Sequence, residues 1–256
     1  MKAIILAAGQ GTRLRPLTDD RPKCLVELAG KPLLEHQLET LRGAGIEDIH
    51  VVAGYRADQI RQPGVTRHIN ERFAETNMVA TLFAAEQELT GESDLIISYG
   101  DIVYEPRVLE ALLACGAPVC LTVDRAWRRY WADRMEDPLS DAETLKLKDG
   151  DRVVELGKKP RGPEEIEGQY MGLIKVRADH VRPLVALWYA MDRGATYDGK
   201  DFDNMYMTSF LQHMIDRKWD VRAAFIENGW LEIDTTDDLR MADEGFWEPS
   251  AAASSS

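Results

Sequence analysis

Two glycines, Gly9 and Gly11, stand directly after an apolar run from Ala3 to Ala8, and Arg13, Arg15, Arg21 and Lys23 follow within one loop's reach. Glycine permits the positive-φ turns and the close approach by which bare backbone N–H groups hold a phosphate. The cations that follow can neutralise what those amides bind. Much further along, Asp101 comes immediately after a second apolar run, Asp94 to Tyr99. A carboxylate there falls at the rim where α/β sheets bind ligands, with a plain turn-forming Asp as the other reading. Glu232 and Asp234 then place two carboxylates on one face of an extended segment, although Asp234-Thr235-Thr236 also suits a helix start.

The generic phosphate motifs do not fit the opening loop. A Walker loop needs Lys-Ser or Lys-Thr after its second glycine, where Thr12-Arg13 stands. A dinucleotide fingerprint needs a third glycine, where Leu14 stands. The longer string is more specific. LAAGQGTRLRPLT, then RPKCL, then GKPLLEHQ resembles the signature of the nucleotidyltransferases that make sugar-nucleotides and CDP-alcohols, nearly unbroken from Leu6 to Pro32.

The resemblance implies roles for particular residues. Leu6, Ala8, Gly9, Gly11, Thr12 and Gly100 would contact the nucleoside triphosphate, with Arg13 on the leaving phosphates and Lys23 near the α-phosphate. Asp101 and Asp234 would hold Mg²⁺, with Glu232 sharing the role. Asn77 would touch the nucleotide, or it is a plain helix cap. Family members also cover the acceptor with a lid. Here the stretch 124–168 sets Trp127, Tyr130 and Trp131 among acids such as Asp141 and Glu143, with Tyr170 just beyond. Such a group can cage an ammonium ion, and it can equally be a small satellite core.

The compact chain, its MKAIILAAGQGTRL opening and the Glu232-Ile233-Asp234 segment look most like the phosphocholine and phosphonate cytidylyltransferase branch. That implies CTP, Mg²⁺ and a small phosphate or phosphonate acceptor, giving a CMP-linked alcohol or amine and pyrophosphate. A sugar-1-phosphate uridylyl-, thymidylyl- or guanylyltransferase is the alternative within the family. A catalytically inactive regulatory or binding subunit is the alternative of another class. Retention of Gly9, Gly11, Arg13, Lys23, Asp101 and Asp234 together speaks against it.

The elements that must position these residues are also legible. Strand, helix and strand alternate from Ala3 through the leucines of 33–41 to Ala53, which is a βαβ unit with a parallel pair. Further strands are expected at 66–70, 94–99, 117–123, 168–176 and 220–226. Helices are expected at 54–62, 77–89, 106–115, 179–191 and 204–217 and from Thr235, with a hairpin turning at Asp149-Gly150-Asp151. The fold class is α/β: a three-layer α/β/α sandwich on a mostly parallel, Rossmann-like sheet with a small lid insertion. One domain spans 1–248, and Ser250 to Ser256 belongs to an unfolded tail at 249–256.

With 256 residues, 45% hydrophobic and 29% charged, the chain reads as a globular protein. The formal charge of −13 argues against nucleic acid as a partner, and residues 1–31 depart from it with six Lys/Arg against three acids. No apolar stretch has membrane-spanning length and no charged-then-apolar leader precedes the first strand, so a cytoplasmic location and no membrane partner are expected. Three cysteines without metal spacing fit a reducing compartment, with Cys115 and Cys120 as packing residues. A homodimer is left open.

Overall fold

The structure, a computed structural model, describes residues 1–135 and 137–242. The expected tail at 249–256 and the end of the 1–248 domain lie outside the described residues. In chain order the first half contains β1 (Lys2–Ala7), β2 (Glu27–Leu28), β3 (Lys31–Pro32), α1 (Leu33–Gly43), β4 (Asp48–Ala53), β5 (Val65–Ile69), α2 (Met78–Phe83), β6 (Leu95–Tyr99), β7 (Ile102–Tyr104) and α3 (Pro106–Ala114). The second half contains β8 (Val119–Asp124), α4 (Trp127–Arg134), β9 (Leu145–Lys148), β10 (Arg152–Leu156), β11 (Gln169–Val176), α5 (Ala178–Ala190), α6 (Met207–Asp216), β12 (Val221–Ile226), β13 (Trp230–Glu232) and α7 (Thr236–Met241).

Nine of these strands form one twisted sheet in the order β5-β4-β1-β6-β11-β8-β12-β10-β9. The pairs β1–β4, β1–β6, β4–β5 and β8–β12 are parallel. β11 runs antiparallel to both β6 and β8 and joins the two parallel halves. Side chains of β1 alternate between the two faces: Ala3, Ile5 and Ala7 enter one core, which also contains Leu34, Leu38 and Leu109. Ile4 and Leu6 enter the other, with Val79, Leu184 and Phe210. Two cores on two faces make the three-layer sandwich.

Four expectations are refined. The helix expected over 77–89 stops at Phe83 and gives way to a 3-10 turn at Glu86–Glu88, while 54–62 holds only one 3-10 turn. The β9–β10 hairpin joins the main sheet beside β12 and extends it, so the insertion covers less than its length suggests. Cys115 and Cys120 are joined in a disulfide, because the end of α3 and the start of β8 bring their Cα atoms to 6.3 Å. Cys24 is buried and free. Among the described residues no helix is long and apolar enough to cross a membrane.

Candidate active site

The glycine loop and the three acids meet at the C-terminal ends of the parallel strands. β1 runs out at Ala7, and the neighbouring strand end crosses it closely, Gly100 N–H donating to Leu6 O at 2.9 Å. A Cβ at Gly100 would stand 2.7 Å from that oxygen, so only glycine allows the crossing. Gly11 sits at φ 71°, and a Cβ there would meet the Lys23 side chain at 2.9 Å. The left-handed turn therefore lets Lys23 lie against the loop.

Gln37 of α1 fixes the segment that carries Asp101. Its buried amide donates to Tyr99 O at 2.9 Å and Ile102 O at 2.8 Å, and Ser98 donates its hydroxyl proton to Gln37 Oε1. The antiparallel pair β7–β13 then lays the late acidic segment beside this strand end. Ile102 pairs with Glu232, and Ile233 N–H donates to Asp101 O at 2.9 Å. Residues far apart in sequence are thus neighbours through backbone pairing.

The result is a compact charged cluster. Lys23 Nζ lies 2.7 Å from Asp101 Oδ2 and also donates to Asp234 Oδ1. Arg13 donates to the other oxygen of Asp234 at 2.7 Å. Burial opposes ionisation of Asp234, but Lys23 and Arg13 outweigh it and hold its carboxyl below the usual aspartate range. Burial likewise opposes the Lys23 charge, yet Asp101 and Asp234 hold it firmly protonated. Glu232 differs. Burial, then the charge of Asp234, push its carboxyl up to about 7, while Arg134 acts in the other direction.

Arg134 is a residue with no motif to mark it. Its side chain is 2% exposed and reaches from α4 to Glu232 and Asp238, both at 2.9 Å. Asp238 in turn caps α7 and accepts from the backbone N–H of Asp234 and Thr235 at 2.9 and 2.8 Å. The insertion is thereby tied to the segment that carries two of the acids.

The cluster fits a divalent cation. Asp101, Glu232 and Asp234 each offer an oxygen within 4.8 Å of the others, and Asp101 Oδ1 is buried with no hydrogen-bond partner among the described residues. Hard oxygen donors flanked by an orphaned lone pair suit magnesium, which binds through one or two carboxylates plus substrate phosphates.

Two clefts open from the cluster. The first is lined by Leu6, Ala8, Gly9, Asn77, Gly100 and Asp101, with Lys23 and Phe73 at its sides. Asn77 also caps α2, its Oδ1 accepting from Met78 N–H at 2.8 Å, so the expected cap is a residue of the cleft lining. Gly11 and Thr12 lie in the loop outside the lining of this cleft, with Thr12 exposed. The second cleft, of about 290 Å³, holds Arg13, Trp131, Tyr170, Glu232 and Asp234. It adds Glu143, whose carboxyl burial pushes up to about 7, helped by Asp141. Trp127 and Tyr130 do not line it. They are 3% exposed in the core, where Tyr130 Oη accepts from Glu232 N–H at 2.8 Å. Among the described residues Trp131 Nε1 is buried without a hydrogen-bond partner.

Comparison with known proteins gives a consistent result. The family described as MobA-like NTP transferase domain matches residues 3–189. A CTP:phosphoglutamine cytidylyltransferase from Campylobacter jejuni is 42% identical over 250 residues, covering 94% of this chain and 98% of its own. A choline-phosphate cytidylyltransferase from Streptococcus pneumoniae is 45% identical over 93 residues, 35% of this chain and 41% of its own. Among solved structures, the inositol-1-phosphate CTP transferase from T. maritima superposes with a TM-score of 0.74 at 21% identity, covering 95% of this chain and 96% of that one.

Proposed function

The chain belongs to the family of the MobA-like NTP transferase domain and is a nucleotidyltransferase; from that premise we propose that it is a cytidylyltransferase. Its substrates are CTP and a small acceptor that carries a phosphate or phosphonate together with an amine. The observation that carries this reading is the convergence of two clefts on one cluster of Lys23, Asp101 and Asp234. End-to-end similarity to a relative described as acting with CTP and phosphoglutamine supports the nucleotide and the acceptor class. Glu143 and Asp141 support the amine.

The first cleft takes the nucleoside and the second the acceptor. An acceptor oxygen attacks the α-phosphorus in line, the bond from that phosphorus to the bridging oxygen breaks, and pyrophosphate leaves. The obstacle is an anion meeting a polyanion, so positioned charge does most of the work. Loop amides at Gly9 and Gly11 hold phosphate oxygens. Arg13, with its planar fork, holds the departing β,γ-phosphates. Lys23 is a point charge between the α-phosphate and the incoming oxygen. Asp101 and Asp234, with Glu232, would hold Mg²⁺, which supplies neutralisation of phosphate charge when bound. Lys23 and Arg13 already contact Asp234, so the cations stand in place before substrate arrives.

A pyrophosphate-release screen tests the reading. CTP, UTP, GTP, ATP and dTTP are each paired with phosphocholine, 2-aminoethylphosphonate, phosphoglutamine and several sugar 1-phosphates in the presence of Mg²⁺. Turnover with CTP and a nitrogen-bearing acceptor is expected. Preference for a sugar 1-phosphate with UTP or dTTP contradicts it.

A further inference from the structure

A second set of donors lies outside both clefts and shares no lining residue with either. His50 in β4 and His68 in β5 stand side by side on one face of the sheet, their rings stacked with centroids 5.1 Å apart. They are 4% and 8% exposed. Nδ1 of His50 lies 2.8 Å from Nε2 of His68. Glu88, from the 3-10 turn after α2, brings its carboxylate to 3.5 Å from His50 Nε2 and 3.9 Å from His68 Nε2. Each of the three offers one donor atom within 4.8 Å of the others.

We propose that His50, His68 and Glu88 form a binding site for zinc, separate from the acids that serve the phosphates. Two imidazoles and a carboxylate are a donor set that borderline divalent metals such as zinc take, and magnesium does not favour. Each donor also has an outer partner of the kind that orients metal ligands. Asp48 Oδ1 lies 2.8 Å from the far nitrogen of His50, and the Gln87 amide 2.8 Å from the far nitrogen of His68. Lys2 donates to Glu88 Oε2, which leaves Oε1 facing His68.

Without metal the same atoms form a hydrogen-bonded chain. Gln87 donates to His68 Nδ1, His68 Nε2–H donates to His50 Nδ1, and His50 Nε2–H donates to Asp48. Zinc takes the place of the proton between the rings. That proton moves to His68 Nδ1, the Gln87 amide turns its oxygen to accept it, and the two neutral rings release no net proton. Two nitrogens on one tetrahedral zinc stand about 3.3 Å apart, so the rings need to open only slightly.

The test uses the full-length protein stripped with a chelator and then dialysed. Zn²⁺ is titrated against a chromophoric competitor, and Co²⁺ serves as the spectroscopic probe. One tight equivalent is expected, with the intense visible bands of a nitrogen-containing tetrahedral site. Zn²⁺ affinity falls at least tenfold in His68→Gln and in Glu88→Gln, about tenfold in Asp48→Asn, and not in Asp101→Asn. Should His68→Gln not fold, Glu88→Gln carries the comparison. Absence of a tight equivalent, or affinity lost in Asp101→Asn and unchanged in Glu88→Gln, overturns the proposal.

Discussion

The two clefts that meet at the Lys23 cluster, one lined by Asp101 and the other by Asp234, are made in opposite ways. The proposed nucleotide cleft is built largely from backbone at the strand ends: the end of β1, the crossing of Gly100 over Leu6, and Lys23 folded back against Gly11. The proposed acceptor cleft is lined by side chains from distant segments, among them Arg13, Glu143, Tyr170 and Glu232. Backbone geometry tolerates few substitutions, because a Cβ at Gly100 or Gly11 collides. A wall of side chains can change residue by residue without disturbing the sheet. The same fold can therefore keep one reaction and vary what receives the nucleotide.

Removing shared charge should have the largest effect. Lys23→Ala is expected to lower kcat by about a thousandfold, on the scale of losing a preorganised charge, with both substrates affected and near-native circular dichroism. A loss confined to one substrate's KM breaks the shared-cluster account.

Glu143 separates the clefts. Glu143→Gln should raise the acceptor KM by about tenfold or more while leaving the KM for CTP within about twofold, since a hydrogen bond to a charged group is worth on the order of 1.5–3 kcal/mol. For the wild type, acceptor kcat/KM should rise as pH passes through about 7, where Glu143 ionises. Stability runs the other way. A carboxyl raised from 4.5 to about 7 in the folded state favours folding at low pH, and this contribution fades as pH rises through 7. Between pH 5 and 8 the melting temperature of the ligand-free wild type should therefore fall relative to Glu143→Gln. Parallel melting curves would remove Glu143 from its assigned environment.

Arg134 joins the halves and should show an intermediate effect. Arg134→Lys keeps the charge and loses the fork that spans Glu232 and Asp238. A several-fold rise in the Mg²⁺ concentration for half-maximal rate is expected, with little change in the KM for CTP at saturating metal. An unchanged metal dependence detaches the insertion from the metal ligands. The smallest effect belongs to Asn77. Asn77→Asp retains the acceptor that caps α2 but loses the amide donor, so stability should hold within about 0.5 kcal/mol while the KM for CTP rises a few fold. Equal KM values would leave Asn77 as a cap alone.

The sequence disclosed most where the chemistry is local. The β1 loop could be read because glycine spacing reports on backbone directly, and Asp101 because it ends a buried strand. The three-layer fold followed from the alternation of apolar strands and helices. The antiparallel run of β11 did not, since an apolar strand gives no sign of its direction. The partnership of Asp101 with Glu232 and Asp234 rests on β7–β13 pairing, which no local pattern encodes. For Trp127 and Tyr130 the sequence left a cage and a satellite core both open, because composition cannot tell an aromatic in a cleft wall from one packed behind it; the core is what forms. Arg134 carried no signal at all: its role comes from burial between two acids that only folding brings together.

The central claim is that Asp101 and Asp234 act as one unit around a single ion. The most direct measurement is a double-mutant cycle on the rate of pyrophosphate release, using Asp101→Asn, Asp234→Asn and the pair at saturating CTP and acceptor. If the acids share an ion, the pair should lose scarcely more rate than either single variant, because the first substitution already disables the unit. If the two losses multiply, or if either single variant keeps a near-normal rate, the shared site is contradicted.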